Sequence, residues 1–392
     1  MPSVMPKIAA VMGPTLAFLL DPEMTRMGAD PSVANFAIGN PQEMPLPELV
    51  TALRDVLEPK DKNWFAYKLN EESSQRTIAA GIQSRLGIAV RPEDVMVTNG
   101  GFGAIATSLR TLAGPGDEVI FISPPWFFYE ALILAVGADP VRVRLRPPAF
   151  DLDSEAIAAA ITARTAAVLV NTPHNPTGRV YPPEQLQGLA DVLAEASRRH
   201  GRTIHLLSDE PYNRILFDGR TFTSPAAHYP ATLLLYSYAK TLLAPGMRIG
   251  YIALAPDMPD APALRDSLML AQIMTGFAFA NADLQYALPR LEKLSIDMAA
   301  LQRRRDRLVP ALLEMGYQTS LPEGTFYTMV RSPIPDDLEF SRLLRRHGVL
   351  VLPGTVVEVP GWFRISLTAN DEMVERGIEG FRLALDAAAT RT

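Results

Sequence analysis

The chain has 392 residues, 48% apolar and 20% charged, which is more than one hydrophobic core comfortably serves and argues for two domains. Lys and Arg number 37 against 43 Asp and Glu, a formal charge of −6, so no basic field exists to draw in nucleic acid or an anionic membrane. The absence of Cys excludes disulfides, thiolate metal sites and a cysteine nucleophile and fits a reducing, cytoplasmic setting, and no pair of histidines has metal-ligand spacing.

Residues 8–20 have the length of a signal-peptide apolar region, but Gly13-Pro14 interrupts them and Asp21-Pro22-Glu23 follows without a cleavage site. They read as an apolar arm packed on the body or on a partner subunit. Residues 36–41 predict a short strand ending in a Gly39-Asn40-Pro41 turn whose backbone can approach a ligand. A helix is predicted over 47–57, an aromatic loop over 63–67 as an interface or lid, and a second helix over 73–86. Residues 95–98 predict a buried strand, Asn99-Gly100-Gly101 a turn and 102–112 a helix. Strand, glycines and helix amino terminus make an anion site available, because the first backbone N–H groups have no intrahelical partner. The spacing G-x-G-x-x-G is absent, and a bare Gly-Gly turn also serves merely to end a strand.

From there strands over 119–123, 141–145, 166–170, 203–207 and 233–236 alternate with helices over 126–136, 154–163 and 183–199. Such alternation implies parallel βαβ units with helices on both faces, an α/β fold whose ligands gather at the strands' carboxyl ends. Gly100, Gly101, Trp126, Asn175, Asp209, Tyr212, Ser237 and Lys240 all fall there, and Arg248 follows eight residues after Lys240. A lysine leaving an apolar strand through small residues can add to a carbonyl as a Schiff base. Asp209 can hold a heterocyclic nitrogen protonated, Trp126 offers a flat face, and Asn175 and Tyr212 are neutral donors for a phenolic oxygen. Ser237 and Arg248 can grip a phosphate. Taken singly, Asp209 is equally a helix cap, Tyr212 a core residue and Asn175 a turn former. Together they match pyridoxal phosphate, whose protonated ring drains electrons from the carbon next to a substrate nitrogen.

The runs Asn171-Thr172-Pro173-His174-Asn175-Pro176-Thr177-Gly178, Ser208-Asp209-Glu210-Pro211-Tyr212 and Ser237-Tyr238-Ala239-Lys240 with Arg248 resemble the class I/II aminotransferases, the fold type I pyridoxal phosphate enzymes, and the likeness covers nearly the whole chain. It implies an N-terminal arm and joining segment over 1–45, a large domain over 46–290 with a mostly parallel seven-stranded sheet, and a smaller α+β domain over 291–392. It implies a homodimer with shared active sites that moves the amino group of an α-amino acid to a 2-oxo acid. Lys240 would then be the Schiff-base lysine, Asp209 the partner of the pyridine nitrogen, and Asn175 and Tyr212 partners of the ring hydroxyl. Trp126 would stack on the ring, while Gly100, Gly101, Phe102, Ser237 and Arg248 would surround the phosphate and Tyr67 reach that of the partner subunit. Through Trp362-Phe363-Arg364-Ile365-Ser366, Arg364 matches the arginine for the substrate carboxylate, with Gly39 and Asn175 beside it. The same fold also hosts lyases, cyclases and oxidases with these ring contacts. An idle aminotransferase-like regulator would instead carry a basic DNA-binding module ahead of the domain.

Three departures stand out. Ala239 replaces a hydroxyl, Asn70-Glu71-Glu72 stands where a glycine usually follows Tyr67, and residues 272–279 lack the arginine of aspartate-specific members. An apolar lining from Leu16, Phe18, Trp64, Phe65, Met274 and Phe277 is therefore expected to favour an uncharged, bulky or aromatic donor, or a basic one reaching Glu71, Glu72 or Glu323. Arg303, Arg304, Arg305 and Arg307 spread around their helix and predict a solvated surface.

Overall fold

A computed structural model describes residues 5–390, so the outermost residues of the expected arm and of the C-terminal domain lie outside the described part. The strands are β1 (Ala34–Asn35), β2 (Val95–Thr98), β3 (Glu118–Ser123), β4 (Asp139–Arg144), β5 (Thr165–Asn171), β6 (His205–Asp209), β7 (Thr232–Ser237) and β8 (Gly250–Leu254), followed by β9 (Tyr327–Arg331), β10 (Val349–Leu350), β11 (Leu352–Pro353) and β12 (Trp362–Ser366). Seven of them form one sheet in the order β2-β8-β7-β6-β5-β3-β4, with β8 alone antiparallel to both its neighbours. Successive residues of β7 enter different apolar clusters, Leu233 and Leu235 on one face, Leu234 and Tyr236 on the other. That is the two-residue period of a pleated strand, and it shows that both faces are covered.

A three-stranded antiparallel sheet, β11-β12-β9, and a parallel pair, β1-β10, make up the rest. Their apolar cluster joins Phe36 to Phe340, Phe363 and Phe381, so residues just after β1 are packed among C-terminal elements. The strand expected over 36–41 is in fact β1, two residues earlier. Phe36 still bridges two strands, donating to Leu350 O and accepting from Ser366 N, both at 2.9 Å, and the chain then turns away at Gly39 and Pro41.

Other boundaries shift for local reasons. The helix expected from Trp126 begins only at Tyr129, because residues 126–128 form a turn in which their aromatic rings crowd together. The helices begun at Pro47 and Ser154 stop at Arg54 and Ala160. β6 runs two residues further than 203–207 and so makes Asp209 its last residue. The apolar arm is a helix, Met5–Leu19, packed against the helix Tyr129–Ala135 and the turn Gly354–Val357.

The solvated-surface expectation fails for two of the four arginines. Arg304 and Arg305 are buried; Arg304 reaches Glu43 and Asp371 at 2.6 Å, and Arg305 pairs with Asp218 at 2.5 Å. Glu43, Asp371 and Asp218 are distant in sequence, so helical periodicity could not reveal them. Among the described residues no helix is long and apolar enough to cross a membrane.

Candidate active site

The carboxyl edge of the large sheet opens into a cleft lined by Gly101, Phe102, Ile105, Trp126, Asn171, Asn175, Asp209, Pro211, Tyr212, Ser237, Ala239, Lys240, Pro245 and Arg248. β5 and β6 pair Asn171 with Asp209, so two polar side chains arrive side by side from neighbouring strands. Lys240 sits half-buried in the single helical turn Tyr238–Thr241 directly after β7. That turn is tied down from behind: Tyr236 Oη meets Thr241 Oγ1 at 2.5 Å, Tyr238 donates to Glu292, and Ile296 N donates to Thr241 O at 2.8 Å.

The end of β2 leads into the helix Gly100–Leu112, whose first residue has φ +72°. The positive φ favours glycine there, and a Cβ would stand 2.9 Å from Arg248 Nη2, which shows how closely the guanidinium lies across the backbone. Unpaired N–H groups at the start of this helix, Ser237 and Arg248 thus face one corner of the cleft.

Asp209 is buried, and burial pushes its carboxyl up to about 7 against the pull of the Tyr129 hydroxyl and of the Lys240 charge. Tyr129 donates to Asp209 Oδ2, and Asn171 Nδ2 donates to Asp209 O at 2.8 Å. Asn171 Oδ1 accepts from Asn175 N at 2.7 Å, and Asn175 Oδ1 accepts from Arg364 Nη1 at 3.0 Å. Arg364 Nη2 donates to Ala37 O at 3.0 Å, its guanidinium lies 3.9 Å from the Tyr327 ring centroid, and its Nε is buried without a partner. No carboxylate pairs with Arg364 among the described residues, and burial lowers its pKa. A buried cation with a free donor is a slot for an anion. Gly39 belongs to the same corner, since a Cβ there would fall 2.2 Å from Tyr327 Oη. Tyr212 is buried edge-on against Phe326 and Tyr327, and Trp126 packs edge-on against Phe102 and Tyr129.

The structure therefore brings together Gly100, Gly101, Phe102, Trp126, Asn175, Asp209, Tyr212, Ser237, Lys240 and Arg248, with Arg364 and Gly39 adjoining through Asn175 and Tyr327. Tyr67 is outside the cleft and fully exposed. None of the six expected apolar residues lines the cleft: Phe18 is in the core, Trp64 stacks on Tyr286 at 3.8 Å, and Leu16, Phe65 and Met274 are exposed. The three glutamates are engaged, Glu71 by Lys68, Glu72 by Arg76 and Glu323 by Arg179. His174 is buried between Thr177 Oγ1 and Pro124 O, and burial lowers its pKa to about 3, which leaves it a neutral structural residue. Tyr129 and Asn171 are the polar residues that sequence reasoning passed over. Asn171 was legible as the last residue of a strand beside Asp209; Tyr129 was hidden inside a helix expected to start three residues too early.

The sequence matches the family model "Aminotransferase class I and II" over residues 31–381. It is 32% identical to an aspartate/prephenate aminotransferase of Thermus thermophilus, an alignment covering 93% of this chain and 94% of the relative. An arginine–pyruvate transaminase of Pseudomonas aeruginosa is 30% identical over 93% and 92% of the two chains. Among solved structures, an amino transferase from Eubacterium rectale superposes with a TM-score of 0.88 at 27% identity, covering 95% of each chain. An aspartate aminotransferase from Thermus thermophilus with maleate gives 0.81 at 29% identity over 98% and 97%. The chain belongs to the class I and II aminotransferase family and is a transaminase.

Proposed function

We propose that the cleft binds pyridoxal phosphate and that the enzyme transfers the amino group of an α-amino acid to a 2-oxo acid. The observation that carries this reading is the convergence on one cleft of Asp209, Lys240 and the chain Asn171, Asn175, Arg364. The cofactor fits the donor set. Arg364 has an orphaned buried nitrogen, and no donor among the described residues reaches Asp209 Oδ1. When bound, pyridoxal phosphate supplies an electron sink for the carbon next to the substrate nitrogen.

In this reading Asp209 faces the ring nitrogen, Asn175 and Tyr212 the ring hydroxyl, and Trp126 a ring face. Gly100, Gly101, Phe102, Ser237 and Arg248 hold the phosphate. Arg364, beside Gly39, fixes the substrate α-carboxylate with two parallel hydrogen bonds and so aims the α-hydrogen at Lys240. Lys240 Nζ is the base that takes that proton. Residues 46–290 form the cofactor domain, 291–392 the smaller domain and 1–45 the segment that joins them. The enzyme is a cytoplasmic homodimer, in which exposed Leu20, Phe65, Tyr67 and Met274 are covered by a second copy and Tyr67 approaches the partner's phosphate site.

The cations of the site, Lys240, Arg248 and Arg364, are all assigned, so a second substrate carboxylate would cost several kcal/mol without a partner. An uncharged donor is the better fit. Incubation with single amino acids and 2-oxoglutarate or pyruvate should transfer the amino group with no release of ammonia or hydrogen peroxide. Release of either as the main product would move the enzyme to the lyases or oxidases of the same fold.

A further inference from the structure

Asp209 is held through one of its two oxygens. Tyr129 donates to Oδ2, and Asn171 Nδ2 approaches the same atom at 3.5 Å, whereas Oδ1 receives no donor among the described residues. Tyr129 is 1% exposed and its ring lies edge-on to Trp126, centroids 5.5 Å apart. One side chain thus braces both the carboxylate and the indole of the cleft. We infer that Tyr129 is a positioning residue that turns Asp209 Oδ1 toward the cleft, keeps the carboxylate ionised, and thereby sets how fully the ring nitrogen of the bound cofactor is protonated. This rests on the proposed function above.

A hydrogen bond to the charged form of a carboxylate favours that form, and a buried one has no water to replace a lost donor. Without the Tyr129 hydroxyl, Asp209 becomes a stronger base and draws the proton it shares with the ring nitrogen toward itself. Lys240, Tyr212 and Glu210 also face Asp209, and all three side chains are retained when Tyr129 is changed. Tyr129→Phe keeps the ring against Trp126, so the change isolates the hydroxyl.

The test uses holoenzyme loaded with cofactor isotopically labelled at the ring nitrogen and observed by NMR without substrate. In Tyr129→Phe the nitrogen resonance should move toward that of an unprotonated pyridine, with turnover reduced about tenfold, equivalent to ~1.4 kcal/mol. Tyr181→Phe is the control, since its hydroxyl is also buried but has no partner, and it should leave the resonance at the parent value. Should Tyr129→Phe fail to fold, a fluorinated tyrosine at position 129, a stronger donor of nearly the same shape, should move the resonance the opposite way. A parent-like resonance in either Tyr129 variant overturns the inference. Asp209→Asn separates the two layers: if it leaves the resonance unchanged, the placement of the cofactor is wrong and the inference falls with it.

Discussion

The floor of the cleft and the exposed apolar surface of the chain are built on opposite principles. On the floor, Asp209, Asn171, Asn175 and Arg364 are buried or nearly so and hydrogen-bonded to one another. Elsewhere on the chain, Leu20, Phe65, Tyr67 and Met274 show most of their apolar surface to solvent. One chain suffices to preorganise the polar groups, which lose little by waiting in place. The exposed apolar residues bury nothing by themselves, and in the proposed dimer a second copy covers them. Chemistry and assembly are therefore separable, and substitutions should divide the same way.

The largest effect is expected at the floor. Lys240→Ala should lower turnover by at least about a thousandfold, since it removes the group that the proposed mechanism uses to move the proton. Borohydride treatment of the parent should attach the cofactor to the peptide containing Lys240, and the variant should lose that attachment. Next comes Arg364→Lys, which gives up the planar fork. With charge-assisted hydrogen bonds worth about 1.5–3 kcal/mol each, kcat/KM should fall roughly a hundredfold. Bound cofactor should stay near the parent level, because Arg364 lies outside the phosphate corner.

At the exposed apolar surface, Met274→Lys should act on assembly first. Sedimentation at micromolar concentration should show the dimer weakened by about tenfold or more, as expected for a charge placed in an apolar contact worth about 1–2 kcal/mol. If the parent itself sediments as an active monomer, the exposed apolar residues are not the cover of a second copy.

The smallest effect concerns a buried carboxylate that touches the floor only through its neighbour. Glu210 is fully buried and accepts from Ser208, Ser224 and Asn213, and burial raises its carboxyl from 4.5 to about 7. Between those values the folded state holds a proton that the unfolded chain has released, so this group's contribution to stability falls as pH rises through the window. Glu210→Gln should flatten that slope by about 1 kcal/mol or more across it, as judged by urea unfolding at several pH values. Equal slopes in parent and variant would show that Glu210 titrates as an exposed carboxylate does.

Much of the floor was legible in sequence because it follows strand ends. Asp209, Ser237 and Lys240 each sit where an apolar run stops, and a run of apolar residues is visible in one dimension. Tyr129 was not, since its role depends on a turn over 126–128 that shifts the helix start, and the pattern of apolar residues continues through that turn unbroken. Arg304 and Arg305 failed for the complementary reason: their carboxylate partners come from elsewhere in the chain, and a helical wheel shows direction but not company. Of the six residues expected to line the cleft, Leu16, Phe65 and Met274 are exposed, Phe18 is in the core and Trp64 is in a stacked pair, because apolar character alone does not tell a pocket from a surface or a core.

The central claim is that the floor performs transamination, and a single half-reaction tests it most directly. Enzyme loaded with cofactor is mixed with one uncharged amino acid and no acceptor, and products are counted per active site. One equivalent of 2-oxo acid should appear and then stop, without ammonia, and adding a second 2-oxo acid should restart the release and yield the corresponding amino acid. Continuous product formation with ammonia and no acceptor would contradict it.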